Sequence, residues 1–170
     1  AIWQPHLPVS SAEVLGAPVT LYAHTDPSAT MVGGRVLSLV GNTTSRQTAD
    51  LRDGLNFTLV PSLSAPLRIV GRIDIYVWLM SQKSVQGTLR VALLEITANA
   101  SEIEIRSATY ANATLGAPSI PRLVIFGLGT TNYNVTAGST LRFAVQFSPS
   151  KDVPVMLLWD DPSVSTRLVM

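Results

Sequence analysis

The chain predicts an all-β fold: an antiparallel β-sandwich of jelly-roll type with an extended N-terminal strand. Three observations carry that expectation. Apolar and polar residues alternate with period two through most of the sequence, and β-branched residues recur along it. No stretch sustains the 3.6-residue period of an amphipathic helix. Roughly ten such runs are separated by turn signals, the spacing of a sandwich.

The first segment, AIWQPHLPVSS, alternates from Trp3 to Ser10. Trp3, Pro5, Leu7 and Val9 fall on one side, and Gln4, His6, Pro8 and Ser10 on the other. Pro5 and Pro8 each lack an amide donor, so the segment suits a sheet edge or a partner's groove better than a central strand. Two readings of these residues stand open. Residues 1–12 form an edge strand or arm on their own domain, or they donate a strand to a neighbour, with Ile2, Trp3, Leu7 and Val9 as the apolar set.

The next runs are PVTLYA (18–23), MVGGRVLSLV (31–40) and LNFTLV (55–60). The clearest strand is LRIVGRIDIYVWLM, with Leu67, Ile69, Gly71, Ile73, Ile75, Val77 and Leu79 on one face and a bend or bulge expected at Gly71. Further strands are expected at 87–96, 102–110, 120–128, 139–148, 153–159 and 166–170. No linker or repeat divides the chain, so residues 13–170 read as one domain, large enough for a single core without staples.

Ten Arg and two Lys are scattered singly and the net charge is +1, which gives no basic face for nucleic acid. Charged residues make up 14%, against roughly 25% in ordinary domains, and mean hydropathy is +0.31. Much of the surface is therefore expected to be covered or to serve as interface. The longest apolar run, VPVMLLW, falls far short of the roughly 20 residues that a membrane span takes.

Asparagine carries the strongest modification signal. Five of the six Asn residues head N-x-S/T sequons: Asn42, Asn56, Asn99, Asn112 and Asn134. With Ser and Thr at about 19% of the chain, chance would supply about one. The excess predicts N-linked glycans on an extracellular chain, with all five sites at the surface: Asn42 in the polar loop GNTTSRQTADLRDG, Asn99, Asn112 and Asn134 in turns, and Asn56 in a strand but out of phase with Leu55, Phe57 and Leu59. The first residue is Ala, which fits an N-terminus made by processing. There is no cysteine, hence no disulfide, thiolate metal site or thiol nucleophile.

Catalytic constellations are sparse. His6 and His24 are the only histidines, neither stands near a G-x-S-x-G elbow, and both read as ordinary strand-end residues. Glu102 with Glu104 reads as a solvated strand face, and Asp160 with Asp161 as a turn before the last strand. A calcium site drawing on Asp152, Asp160 and Asp161 would have a poor ligand count. Tyr76 and Trp78 share one strand face, either as a sugar-stacking strip or as a packing contact. No catalytic residue, cofactor or metal is expected.

The segments LYAHTDPS, LNFTLVPSLSAPLRIVGRIDIYVWLMS, NYNVTAGSTLRFAVQF and VMLLWDDPSVSTRLVM give the chain a resemblance to jelly-roll modules of secreted archaeal proteins. Over roughly 130 residues the pattern is similar to the C-terminal sandwich of X-Pro dipeptidyl peptidases and related esterases. A sequon-rich jelly roll preceded by a strand resembles the subunits of archaeal thread filaments and bundling pili, which are related in architecture to bacterial camelysin-type biofilm fibre proteins. That family assembles by donor-strand complementation. The resemblance implies that residues 1 to about 12 insert into the next copy, giving a head-to-tail homopolymer for adhesion or biofilm. It implies no catalytic residue, and the long apolar N-terminal helix of type IV pilins is absent. The other expectation is a carbohydrate-binding or accessory module of a secreted protein.

Overall fold

A computed structural model describes residues 19–40, 45–116 and 119–170. The fold is all-β, as expected. Among the described residues eleven strands run β1 Thr20–Thr25, β2 Arg35–Ser38, β3 Gln47–Asp50, β4 Leu55–Leu59, β5 Leu67–Ser81, β6 Val85–Ile96, β7 Glu102–Leu115, β8 Arg122–Val135, β9 Thr140–Pro149, β10 Val155–Trp159 and β11 Arg167–Val169. No helix among the described residues is long and apolar enough to cross a membrane.

The strands join in the order β3-β10-β5-β11-β1-β2-β4-β9-β6-β7, with β8 on the other side of β5. Pairing is antiparallel except between β2 and β4. β5 organises the fold. Along one edge it takes β8 from Leu67 to Leu79, and along the other it takes β10 at Trp78–Ser81 and then β11 at Asp74–Tyr76. The sheet thereby folds back on itself, and its two halves enclose one core. Phe57 of β4 meets Trp159 of β10 edge-on across that core, with ring centroids 5.2 Å apart.

Period two explains which residues line the core. Leu67, Ile69, Ile73, Ile75, Val77 and Leu79 of β5 are buried in the expected phase. On β9, Leu141, Phe143, Val145 and Phe147 do the same.

Four expectations need correction. The run MVGGRV is not strand throughout: Val32–Gly34 makes a 3-10 turn, and β2 begins only at Arg35. Gly34 has φ +66, and a Cβ there would stand 2.5 Å from the Asp26 carbonyl oxygen, so this turn needs glycine. Gly71 has φ +104, but the shift in register lies at Ile73/Asp74, where Leu128 of β8 is the extra residue. β3 lies in the stretch that the sequence presents as loop, and pairs with β10. Finally, Asn112 and Asn134 lie inside β7 and β8 instead of in turns.

Candidate functional site

The least completed part of the sandwich is the seam between β7 and β8. Each strand has 14 residues; β7 pairs with β6 and β8 with β5. Among the described residues no backbone pairing joins β7 to β8. Yet they run antiparallel side by side, bridged by side chains at matched positions. Arg122 donates to the Thr114 carbonyl, the Tyr110 and Phe126 rings stand 6.4 Å apart, and Arg106 donates to the Thr130 carbonyl at 2.6 Å and to Thr131 Oγ1 at 3.2 Å.

A strand directs alternate residues' backbone groups to each side, so about seven residues of each 14-residue strand face the seam. Two arginines occupy two of those carbonyls. The apolar surface follows the same line. Of the exposed large apolar side chains among the described residues, Ile103, Tyr110, Ile120 and Ile125 lie on β7, on β8 or in the link between them, and only Val40 lies elsewhere. A cleft of about 130 Å³ opens between the strands, with Tyr110 and Leu115 on one side and Leu123 and Val124 on the other.

One end of the seam is pinned from inside. Glu95 of β6 is 2% exposed; it accepts from Tyr133 Oη at 2.5 Å, from the Thr136 amide at 2.9 Å and from Thr136 Oγ1 at 2.8 Å. This ties β6, in one half of the sheet, to the end of β8 in the other. Burial pushes the Glu95 carboxyl up, but hydrogen bonds from Tyr133, Thr136 and Ser139 outweigh it and hold the group below its ordinary 4.5. Burial, then the hydrogen bond and charge of Glu95, raise Tyr133 to about 12. The sequence reading missed this network. Its signal was an acid in the inward phase of Leu89, Val91 and Leu93.

Of the predicted sites, Ile2, Trp3, Leu7 and Val9, with His6 and Asn42, lie outside the described residues. Asn56, Asn99, Asn112 and Asn134 are all exposed. Asn56 is out of phase with Leu55 and Phe57, as expected. Asn99 sits in the turn joining β6 to β7. Asn112 adopts φ +58 at a bulge of β7, a conformation asparagine tolerates.

The remaining candidates are engaged in structure. His24 Nδ1 lies 2.7 Å from Asp160 Oδ1, and Asp160 Oδ2 accepts from the Thr25 amide. Asp161 caps the 3-10 turn Pro162–Val164 by accepting from the Ser163 amide. Asp152 pairs with Arg52 at 2.6 Å. Among the described residues no three His, Cys, Asp or Glu side chains gather as a metal site. Glu102 and Glu104 pair with Arg142 and Arg90 on the outer face. The Arg167 guanidinium lies 4.1 Å from the centroid of the Tyr76 ring, and Trp78 is half-buried, with an indole nitrogen that is buried and finds no hydrogen-bond partner among the described residues. That ring face is therefore taken.

No family model matches the chain, and no curated protein matches it. Among solved structures it is similar in fold to a CocE/NonD family hydrolase from Staphylococcus aureus (TM-score 0.70, 10% identity), covering 90% of this chain and 36% of that one. An aminopeptidase from a marine sediment thaumarchaeon matches with TM-score 0.70 at 11% identity over the same shares. An α-amino acid ester hydrolase matches with TM-score 0.65 at 14% identity, over 98% of this chain and 38% of that one. The chain thus spans little more than a third of the hydrolases it matches, and the likeness is one of fold.

Proposed function

We propose that the chain is the structural, non-catalytic subunit of an extracellular, glycosylated filament of archaeal thread or bundling-pilus type, serving adhesion or biofilm. Copies join head to tail when residues 1–12 of one enter the β7–β8 seam of the next. The observation that carries this reading is the seam itself: two 14-residue strands side by side whose facing backbone edges are bridged, among the described residues, by side chains alone. Such edges are templates for an added strand.

Dimensions agree. The alternating stretch Trp3–Ser10 spans roughly 26 Å at about 3.3 Å per residue, within the roughly 46 Å of either seam strand. Pro5 and Pro8 have opposite parity, so an inserted strand forgoes one hydrogen bond to each neighbour, about 1 kcal/mol apiece. Trp3, Leu7 and Val9 share one side and would meet the apolar surface of Tyr110, Leu115 and Val124. Exposed sequons and 14% charge suit a subunit covered by glycans and by its neighbours.

The test is negative-stain electron microscopy of the full chain beside a chain lacking residues 1–12. Filaments from the full chain alone are expected; monomers from both would overturn the proposal. The second reading, an accessory or carbohydrate-binding module of a secreted hydrolase, is favoured by the fold match to hydrolases over 90% of this chain. It predicts a monomer with residues 1–12 on its own sheet.

A further inference from the structure

We infer that the sequons divide by the moment at which they can be modified: Asn56 and Asn134 only before the chain folds, Asn99 afterwards as well. This rests on the proposed reading of the chain as an exported glycoprotein. A motif that demands a hydroxyl two residues after asparagine is read by an enzyme that contacts both side chains. In the transfer, the asparagine carboxamide nitrogen bonds to the anomeric carbon of a lipid-linked oligosaccharide. The anomeric C–O bond breaks, the lipid phosphate leaves with its electron pair, and one amide proton is lost to solvent. The tripeptide must therefore leave its own partners and enter the enzyme's cleft.

Asn56-Phe57-Thr58 cannot do so in the folded chain. It lies in β4, with β9 paired along one edge and β2 along the other at Thr58. Phe57 is 0% exposed and Thr58 4%, and Thr58 Oγ1 accepts from Arg142 Nε at 3.2 Å. Exposure of the asparagine is thus not sufficient.

Asn134-Val135-Thr136 is held by its bonds, although Asn134 and Thr136 are exposed. Asn134 and Val135 pair with Arg68 and Leu67 of β5, Val135 is 0% exposed, and the Thr136 hydroxyl is committed to the buried Glu95. Asn99-Ala100-Ser101 lies in no strand: all three residues are exposed in the turn between β6 and β7, bonded among the described residues only to Thr97. Asn112, on the outer strand β7 with Thr114 exposed, needs only that strand to fray and falls between.

The experiment uses unglycosylated full-length chain, a purified oligosaccharyltransferase and a lipid-linked oligosaccharide, with occupancy at each Asn read by mass spectrometry over time. The folded chain is compared with Phe143→Asp/Phe147→Asp, which places two charges in the core, its loss of fold checked by near-ultraviolet circular dichroism. Asn99 should be modified in both. Asn56 and Asn134 should be modified at least about tenfold more slowly in the folded chain than in the unfolded one. Equal rates at Asn56 and Asn134 in the two chains would overturn the inference. Absence of modification at every sequon of the unfolded chain would instead overturn the glycoprotein reading beneath it.

Discussion

Glu95 is a carboxylate taken out of water and compensated by Tyr133 and Thr136. Because it titrates below its ordinary 4.5 in the folded chain, the ionised form favours folding. Its contribution is complete above about pH 4.5 and is lost as pH falls through the lower folded value. Glu95→Gln should therefore cost about 2 kcal/mol near neutrality in urea unfolding, and the gap to the parent chain should close on acidification. A gap independent of pH would refute the assignment. Tyr133 has the opposite sign: raised to about 12 from 10.0, it stabilises the fold below pH 10 and loses that effect as pH climbs toward 12. Tyr133→Phe should accordingly flatten the alkaline limb of the stability profile.

β5 and β9 form the rigid part of the sandwich, and Phe143→Ala, at a residue 0% exposed, should cost about 3–5 kcal/mol in the same unfolding assay. β7 and β8 should behave differently. In the free subunit, backbone amides directed into the seam should exchange with solvent at least about a hundredfold faster than those of β5 and β9, and they should slow on assembly. Uniform protection across β5, β7 and β8 in the free subunit would contradict the seam. The contrast also explains what the sequence made legible. Strands with one apolar and one polar face, such as Leu67–Leu79, announce themselves by alternation. β3, Gln47–Asp50, has little contrast between its faces and reads as loop in the sequence. Asn112 and Asn134 suggest turns locally, yet one sits at a bulge and the other faces outward from a paired strand. The seam left no signal, since a hairpin reads alike whether its strands bond or are bridged by Arg106 and Arg122. The Glu95 network was visible as a charge in an inward phase, but its partner Tyr133 lies 38 positions away.

At the scale of the whole molecule, a strand given by one copy and a seam offered by the next make a heterologous contact that need not close, the geometry of a fibre. A peptide of residues 1–12 added to a chain lacking them should raise its Tm in a concentration-dependent way, as any ligand of the folded state does. The central claim is that this strand belongs to a different copy. Because the chain has no cysteine, Leu7→Cys with Tyr110→Cys supplies two unique thiols per molecule. Treatment with a short thiol-to-thiol cross-linker, read by denaturing gel electrophoresis, decides between partners. A ladder of covalent multimers that collapses when either substitution is omitted is the predicted result. A cross-linked monomer without multimers would place the strand on its own domain and contradict the account.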